Sequence, residues 1–225
     1  MRWRRLDRDA WQVWLLHEQG PNRRRQEDAW AVLPSAAQAG RTADVFAVFD
    51  GLGGIPMGAE AAKACAAALP EALRSAIDPV HALQMLDQAA LDVGGATTIA
   101  LALFRHGDIA GTGTAFAVGD SAVFAPVSAG RGSDLFGEGH RSAGGLQAAL
   151  GFNSGLPLEA RLHVPLGAAL VLCTDGVTDV VDRILLERLA AGGAAFEANL
   201  EQVRRDLADS GLPDNATLLV ARRTR

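Results

Sequence analysis

The sequence predicts an α+β fold in which antiparallel sheets are covered by helices. Two observations carry this expectation. Strand-like apolar runs come in clusters, and long helical stretches follow them instead of alternating strictly with each strand. There are no internal repeats, low-complexity tails or obvious linkers. With 225 residues, 49 % of them hydrophobic, a single domain over 1–225 has material for a sizeable core.

The elements follow in order. Between Trp11 and Leu33 the pattern predicts two strands, "WQVWLLHEQ" and "DAWAVL", joined by the polar loop "GPNRRRQE". A strand over Val45–Phe49 runs straight into Asp50 and a burst of glycine. An alanine-rich helix starts at Gly58 and reaches about Ser75, with Pro70 inside it as a break or kink. "VHALQMLDQAAL" has its apolar residues at helical spacing. "GGATTIALALF" is β-rich, and "DIAGTGTAFAVGDSAVFAPV" predicts a hairpin turning at Gly119–Asp120. Residues 128–145 are the most loop-like stretch. "AALVLCTDGVTDVV" is an apolar strand ending in Asp-Gly. Helical patterns fill Ile184 to about Ser210, and "NATLLVAR" closes the chain as a strand.

Charge and composition exclude several classes. A net charge of −5 argues against a broad nucleic-acid-binding face. No run of about eighteen apolar residues is present, so no membrane span is expected. The basic start "MRWRRLDRDAWQVWLL" has a short, interrupted apolar stretch and no small-residue cleavage site after it, so no signal peptide is read. Cys65 and Cys173 sit far apart in apolar contexts and read as core residues, which fits a reducing cytoplasm. The glycine burst "DGLGGIPMG" has neither Gly-x-Gly-x-x-Gly nor Gly-Lys-Ser/Thr, which disfavours a nucleotide-binding loop. The five histidines share no ligand spacing and read as structural or exposed.

The chemistry lies in carboxylates that recur at strand tips. Asp50 ends "VFAVF" and Asp175 ends "ALVLCT", each before a glycine. Asp120 follows "AFAVG", Asp214 precedes "ATLLVA", and Glu27 and Asp28 precede "AWAVL". Asp-Gly alone is a common turn dipeptide. Brought together, however, these acids cannot all stay charged without a cation. An all-oxygen set without a His or Cys cluster points to Mg²⁺ or Mn²⁺ over zinc.

The same residues carry a resemblance to the PPM family, the PP2C-type metal-dependent serine/threonine phosphatases, in its short bacterial form. "RRRQED" (Arg23–Asp28) resembles the family's Arg-x-x-Asn-Glu-Asp, with Gln26 in the Asn place. "DGLGG", "GGATT", "VGDS", "LCTDGVTD" and "DNAT" resemble its other motifs in order along nearly the whole chain. The resemblance implies two antiparallel sheets packed face to face with helices outside, a four-layer α-β-β-α sandwich. It also implies Mn²⁺- or Mg²⁺-dependent hydrolysis of phosphoserine and phosphothreonine in proteins, with a cognate kinase or its target as partner. Asp50 and the Gly51 carbonyl, with Asp175 and Asp214, would hold two cations. Glu27 and Asp28 would act largely through water, and Asp120 with Asp175 matches a third, weaker site. Arg23 matches the phosphate-holding arginine, whose planar fork suits phosphate oxygens as lysine does not. Cations about 3.5–4 Å apart acidify and orient a shared water for in-line attack on phosphorus. Arg24 and Arg25 read as a solvated charge run.

The departures are as informative. Leu52 stands where some family members carry a proton-donating His, and Ala122 where the family has Arg. Around 128–150 the chain is shorter than the family's flap and lacks its Asp-His-Ser signature; "GGLQAALG" resembles a remnant, and His140 lies just before it. Substrate choice is thereby left open, and a pseudophosphatase that binds a phosphoprotein or kinase is the alternative reading.

Overall fold

The structure, a computed structural model, describes all residues except 9, 39, 40, 109, 129, 138, 143, 144, 153 and 154. In chain order the strands and helices are β1 (Arg4–Arg5), β2 (Trp11–Glu18), β3 (Ala29–Gln38), β4 (Arg41–Phe49), α1 (Gly58–Ser75), α2 (Pro79–Asp92), β5 (Ile99–Arg105) and β6 (Thr112–Val118). Then come β7 (Ala122–Ser128), β8 (Arg131–Asp134), β9 (Arg141–Ser142), β10 (Gly145–Leu146), β11 (Leu158–His163) and β12 (Ala169–Cys173). The chain ends with α3 (Asp175–Thr178), α4 (Arg183–Ala191), α5 (Phe196–Asp209) and β13 (Ala216–Arg223).

Two antiparallel sheets form the frame. One has six strands in the order β1-β2-β13-β12-β7-β8, the other five in the order β11-β6-β5-β4-β3. Side chains alternate across each strand, as the two-residue period of a strand demands. On β4, Phe46 and Val48 face the opposing sheet, while Val45, Ala47 and Phe49 face α1 and α2. On β12, Leu170 and Leu172 point to the middle, and Val171 and Cys173 point to α4 and α5. Three apolar layers therefore separate four layers of backbone: helices, sheet, sheet, helices. This is the sandwich the resemblance implies. It also explains why the strand sequences read as unbroken apolar runs, since both faces of each inner strand are buried.

Local signals account for the helix ends. The Asp78 side chain caps α2 by accepting from the His81 N–H at 2.8 Å, with Pro79 in the first turn. Helix α1 runs through Pro70 without a break. Pro70 is exposed, so the carbonyl it leaves without a donor lies on the solvent side.

The predicted hairpin at Gly119–Asp120 is not one. Strand β6 pairs with β5 and β11, whereas β7 pairs with β12 and β8, so the chain crosses there from one sheet to the other. A Gly-Asp turn serves a crossover as well as a hairpin. The difference lies in burial: Ala115–Val118 and Ala122–Ala125 are buried throughout, as inner strands of a sandwich must be. Gly119 has φ 103°, and a Cβ there would lie 2.6 Å from Thr98. The stretch read as loop holds β8 and the small β9–β10 ladder; positions 129, 138, 143 and 144 of it, and 109 in the run before β6, lie outside the described residues. Strand β11 carries no clear pattern in the sequence.

Candidate active site

Alternating strand directions bring the acids together. The end of β4, the start of β3, the β6–β7 crossover, the end of β12 and the start of β13 all fall at one end of the sandwich. There a cleft of about 330 Å³ is lined by Arg23, Glu27, Asp50, Gly51, Asp120, Asp175 and Asp214. Asp28 lies beneath it, 2 % exposed. All of the sequence-predicted residues therefore meet at one site. Leu52 lines the same cleft, so no histidine acid stands at that place. A larger cavity of about 760 Å³ lies at the opposite end, lined by Leu103, Arg105, Arg161 and His163 among others. It holds none of these acids, so size does not identify the site.

Asp28 joins the two sheets. Its Oδ2 accepts from Thr217 Oγ1 at 2.6 Å and from Thr174 Oγ1 at 3.1 Å, both on the six-stranded side, while Asp28 itself leads into β3 of the other sheet. Because Thr217 donates to Asp28, its oxygen is left to accept from His17 Nδ1–H at 2.9 Å, which assigns that ring's tautomer. Asp28 Oδ1 is buried without a hydrogen-bond partner. Burial pushes Asp28 up to about 7 against the two threonine hydrogen bonds.

Asp50 is held by its backbone. Its N–H donates to Thr98 Oγ1 at 3.2 Å, and its carbonyl accepts from Thr97 Oγ1 and the Thr98 N–H, each at 2.8 Å. The "GGATT" motif thus serves as a clamp on the strand tip. Burial drives the Asp50 carboxyl well above the usual range, and Asp28, Asp175 and Asp120 add to the effect. Burial also raises Asp120, with Asp175 adding and Arg141 opposing. At Gly51 a Cβ would come within 2.4 Å of the Gly58 carbonyl oxygen and 2.6 Å of that of Glu27. Only glycine fits where the start of α1 and the loop before β3 close around the strand end.

The arginines divide by role. Arg23 pairs with Asp214 and stands 4.0 Å from Glu27. Arg25 is tied to Glu60 at 2.6 Å and Glu27 at 3.4 Å on the surface. Arg141, on β9, was not singled out by the sequence. Its Nη1 lies 3.3 Å from Asp120 Oδ2 and 3.8 Å from Asp175 Oδ2, so the support missing at Ala122 comes from another strand. Asn215 was also missed: it donates to the Arg25 carbonyl at 3.1 Å and accepts from the Gly20 N–H at 3.2 Å, pinning the arginine loop to the start of β13.

The donor set fits hard divalent cations. Its groups are oxygens alone, one buried carboxylate oxygen lacks a partner, and the half-buried Asp50 carboxyl sits among three others. Among the described residues, however, no three Asp, Glu, His or Cys side chains converge as a ready-made cation cage. The acids meet in pairs, Asp50 with Asp175, and the two arginines hold others.

Comparison with solved structures decides the architecture. The serine/threonine phosphatase Stp1 from Staphylococcus aureus superposes with a TM-score of 0.73 at 18 % identity, over 95 % of each chain. The chain has the PP2C-type phosphatase fold. The catalytic domain of the phosphatase PstP, in complex with two manganese ions, shares this fold at TM-score 0.70 and 20 % identity, over 96 % of this chain and 99 % of that one. PppA, a regulatory component of T6SS in Pseudomonas aeruginosa, has it at 0.70 and 22 %, over 96 % and 98 %. No protein-family profile matches the sequence, and no curated protein matches it. Among the described residues no helix of this phosphatase-fold chain is long and apolar enough to cross a membrane.

Proposed function

We propose that residues 1–225 act as one cation-dependent phosphatase domain with a short flap, removing phosphate from phosphoserine and phosphothreonine in proteins. The observation that supports this most is the meeting of Asp50, Asp120, Asp175, Asp214 and Glu27 with Arg23 in one cleft, above the partnerless buried oxygen of Asp28. Asp50, Gly51, Asp175 and Asp214 would hold two Mn²⁺ or Mg²⁺ ions, Glu27 and Asp28 would act through water, and Asp120 with Asp175 frames the place that a third ion takes in the family the chain resembles. Bound there, the cations supply an acidified, oriented water and neutralise charge developing on the phosphoryl group.

The chain's own groups do the rest. Arg23 reaches into the cleft from a turn pinned by Asn215 and offers a two-pronged donor to phosphate oxygens. A phosphate there competes with Asp214 for the guanidinium, which loosens that pair as substrate enters. Leu52 cannot donate a proton, so the leaving serine or threonine oxygen would take its proton from a water, either one held at the cation centre or one from solvent. The kinase whose product is the substrate, or that kinase itself, is the proposed partner, in the cytoplasm.

A second reading keeps the fold as a phosphoprotein-binding module without turnover. Its support is the pairing of Arg23 and Arg141 with three of the acids and the absence of a preformed cage among the described residues. Hydrolysis of p-nitrophenyl phosphate and a phosphothreonine peptide, with EDTA, Mg²⁺ or Mn²⁺ and beside Asp175→Ala, separates the two. Turnover that needs metal and vanishes in the variant supports the phosphatase. Folded protein that shows no turnover with any of the metals supports the binding module.

A further inference from the structure

Asp120 and Asp175 face each other across the junction of the two sheets, with side chains only 9 % and 24 % exposed. Two carboxylates so placed call for a cation between them. In this chain one is built in. The Arg141 Nη1 nitrogen is within 4 Å of an oxygen of each, at 3.3 and 3.8 Å. No other arginine or lysine forms an ion pair with Asp120 among the described residues: Arg183, on the neighbouring α4, is committed to Asp134.

The arm is also positioned. His140 precedes it, donates its backbone N–H to the Gly119 carbonyl at 2.9 Å and takes the Gly119 N–H on Nδ1 at 3.1 Å. The root of the β9–β10 ladder is thus fastened to the crossover that carries Asp120. Leu146 pairs with Arg141 across the ladder. The Arg141 side chain is 44 % exposed and can swing out, whereas the acids cannot leave.

We propose that Arg141 is a resident cation of this centre, occupying the place between Asp120 and Asp175 that a third divalent ion would otherwise take, so that the chain binds two metals and not three. This rests on the two-metal phosphatase reading. A metal must displace the guanidinium before binding there. If the arm is out about a tenth of the time, the apparent affinity of that place falls about tenfold.

The test counts metal and needs no substrate. Wild-type protein, Arg141→Ala, Arg141→Met and the double variant Arg141→Ala/Asp120→Asn are dialysed against MnCl₂, and bound manganese is measured by atomic absorption. The inference expects about two ions per chain in wild type, three in each single variant, and two again in the double variant. Equal counts in wild type and both single variants overturn it and leave the two-metal reading standing. Fewer than two in wild type overturn the two-metal reading and this inference with it. Circular dichroism establishes that each variant is folded; Arg141→Met, which keeps the packing stem, decides if Arg141→Ala melts early.

Discussion

The burial of Asp28 makes a prediction that can be worked through from the structure. Its carboxyl stands at about 7 in the fold against an ordinary 3.8. The folded protein therefore binds a proton more tightly than the unfolded chain does. Metal-free stability from this group is fully present below about pH 4 and is lost as pH rises towards 7. Each pH unit in the middle of that window removes about 1.4 kcal/mol, and the slope falls off near the folded value, so about 2 kcal/mol disappears between about pH 5 and pH 7. Asp28→Asn removes the titration and keeps the shape. Its amide oxygen accepts from Thr174 and Thr217, and its NH₂ sits where Oδ1 already lacks a partner. Denaturant unfolding in EDTA should therefore find Asp28→Asn more stable than wild type at about pH 8, with an advantage roughly 3 kcal/mol smaller at about pH 5. Manganese should reverse the order near pH 8, because a cation stabilises the ionised wild-type carboxylate. An advantage that is the same at both pH values would refute the assignment of this burial cost to Asp28.

Four further outcomes follow from the site. Asp50→Ala should abolish metal-dependent turnover yet raise the metal-free melting temperature, since it removes a half-buried acid from among three others; paired activity assays and melts check both. Arg23→Lys should raise KM for a phosphothreonine peptide by about tenfold while leaving the melting temperature close to wild type, because the ammonium offers no fork. Thr217→Val should cost about 1–3 kcal/mol in chemical denaturation, leaving Asp28 with one hydrogen bond and His17 Nδ1 without its acceptor. Gly51→Ala should lower both stability and manganese affinity, read by melts and calorimetry, because its Cβ would strike two backbone carbonyls.

Much of the frame was readable in the residues, for physical reasons. Continuous apolar runs such as "VFAVF" and "ALVLC" mark strands buried on both faces, and acids at their ends stand out because nothing else justifies them there. The crossover at Gly119 was not readable, since turn chemistry is blind to which sheet receives the next strand. Arg141 was missed because its strand is two residues long and pairs only with β10, leaving no period to detect. Thr97, Thr217 and Asn215 lay inside quoted motifs, but their work is to hold acids and loops in place, which only the hydrogen bonds reveal.

The cleft draws its acids from both halves of the sandwich, Asp28 and Asp50 from one sheet and Asp175 and Asp214 from the other. The spacing across the site is therefore governed by the filling of the middle layer. Trp11, Phe46 and Phe104 pack there edge-to-face or tilted, with ring centroids 4.6 to 6.1 Å apart, at the end of the sandwich away from the acids. They act as a shim: a thinner aromatic trio would tilt one sheet on the other and open or pinch the gap between the acid pairs. The spacing of the acid cluster in this protein is in part a property of how thick its interior is.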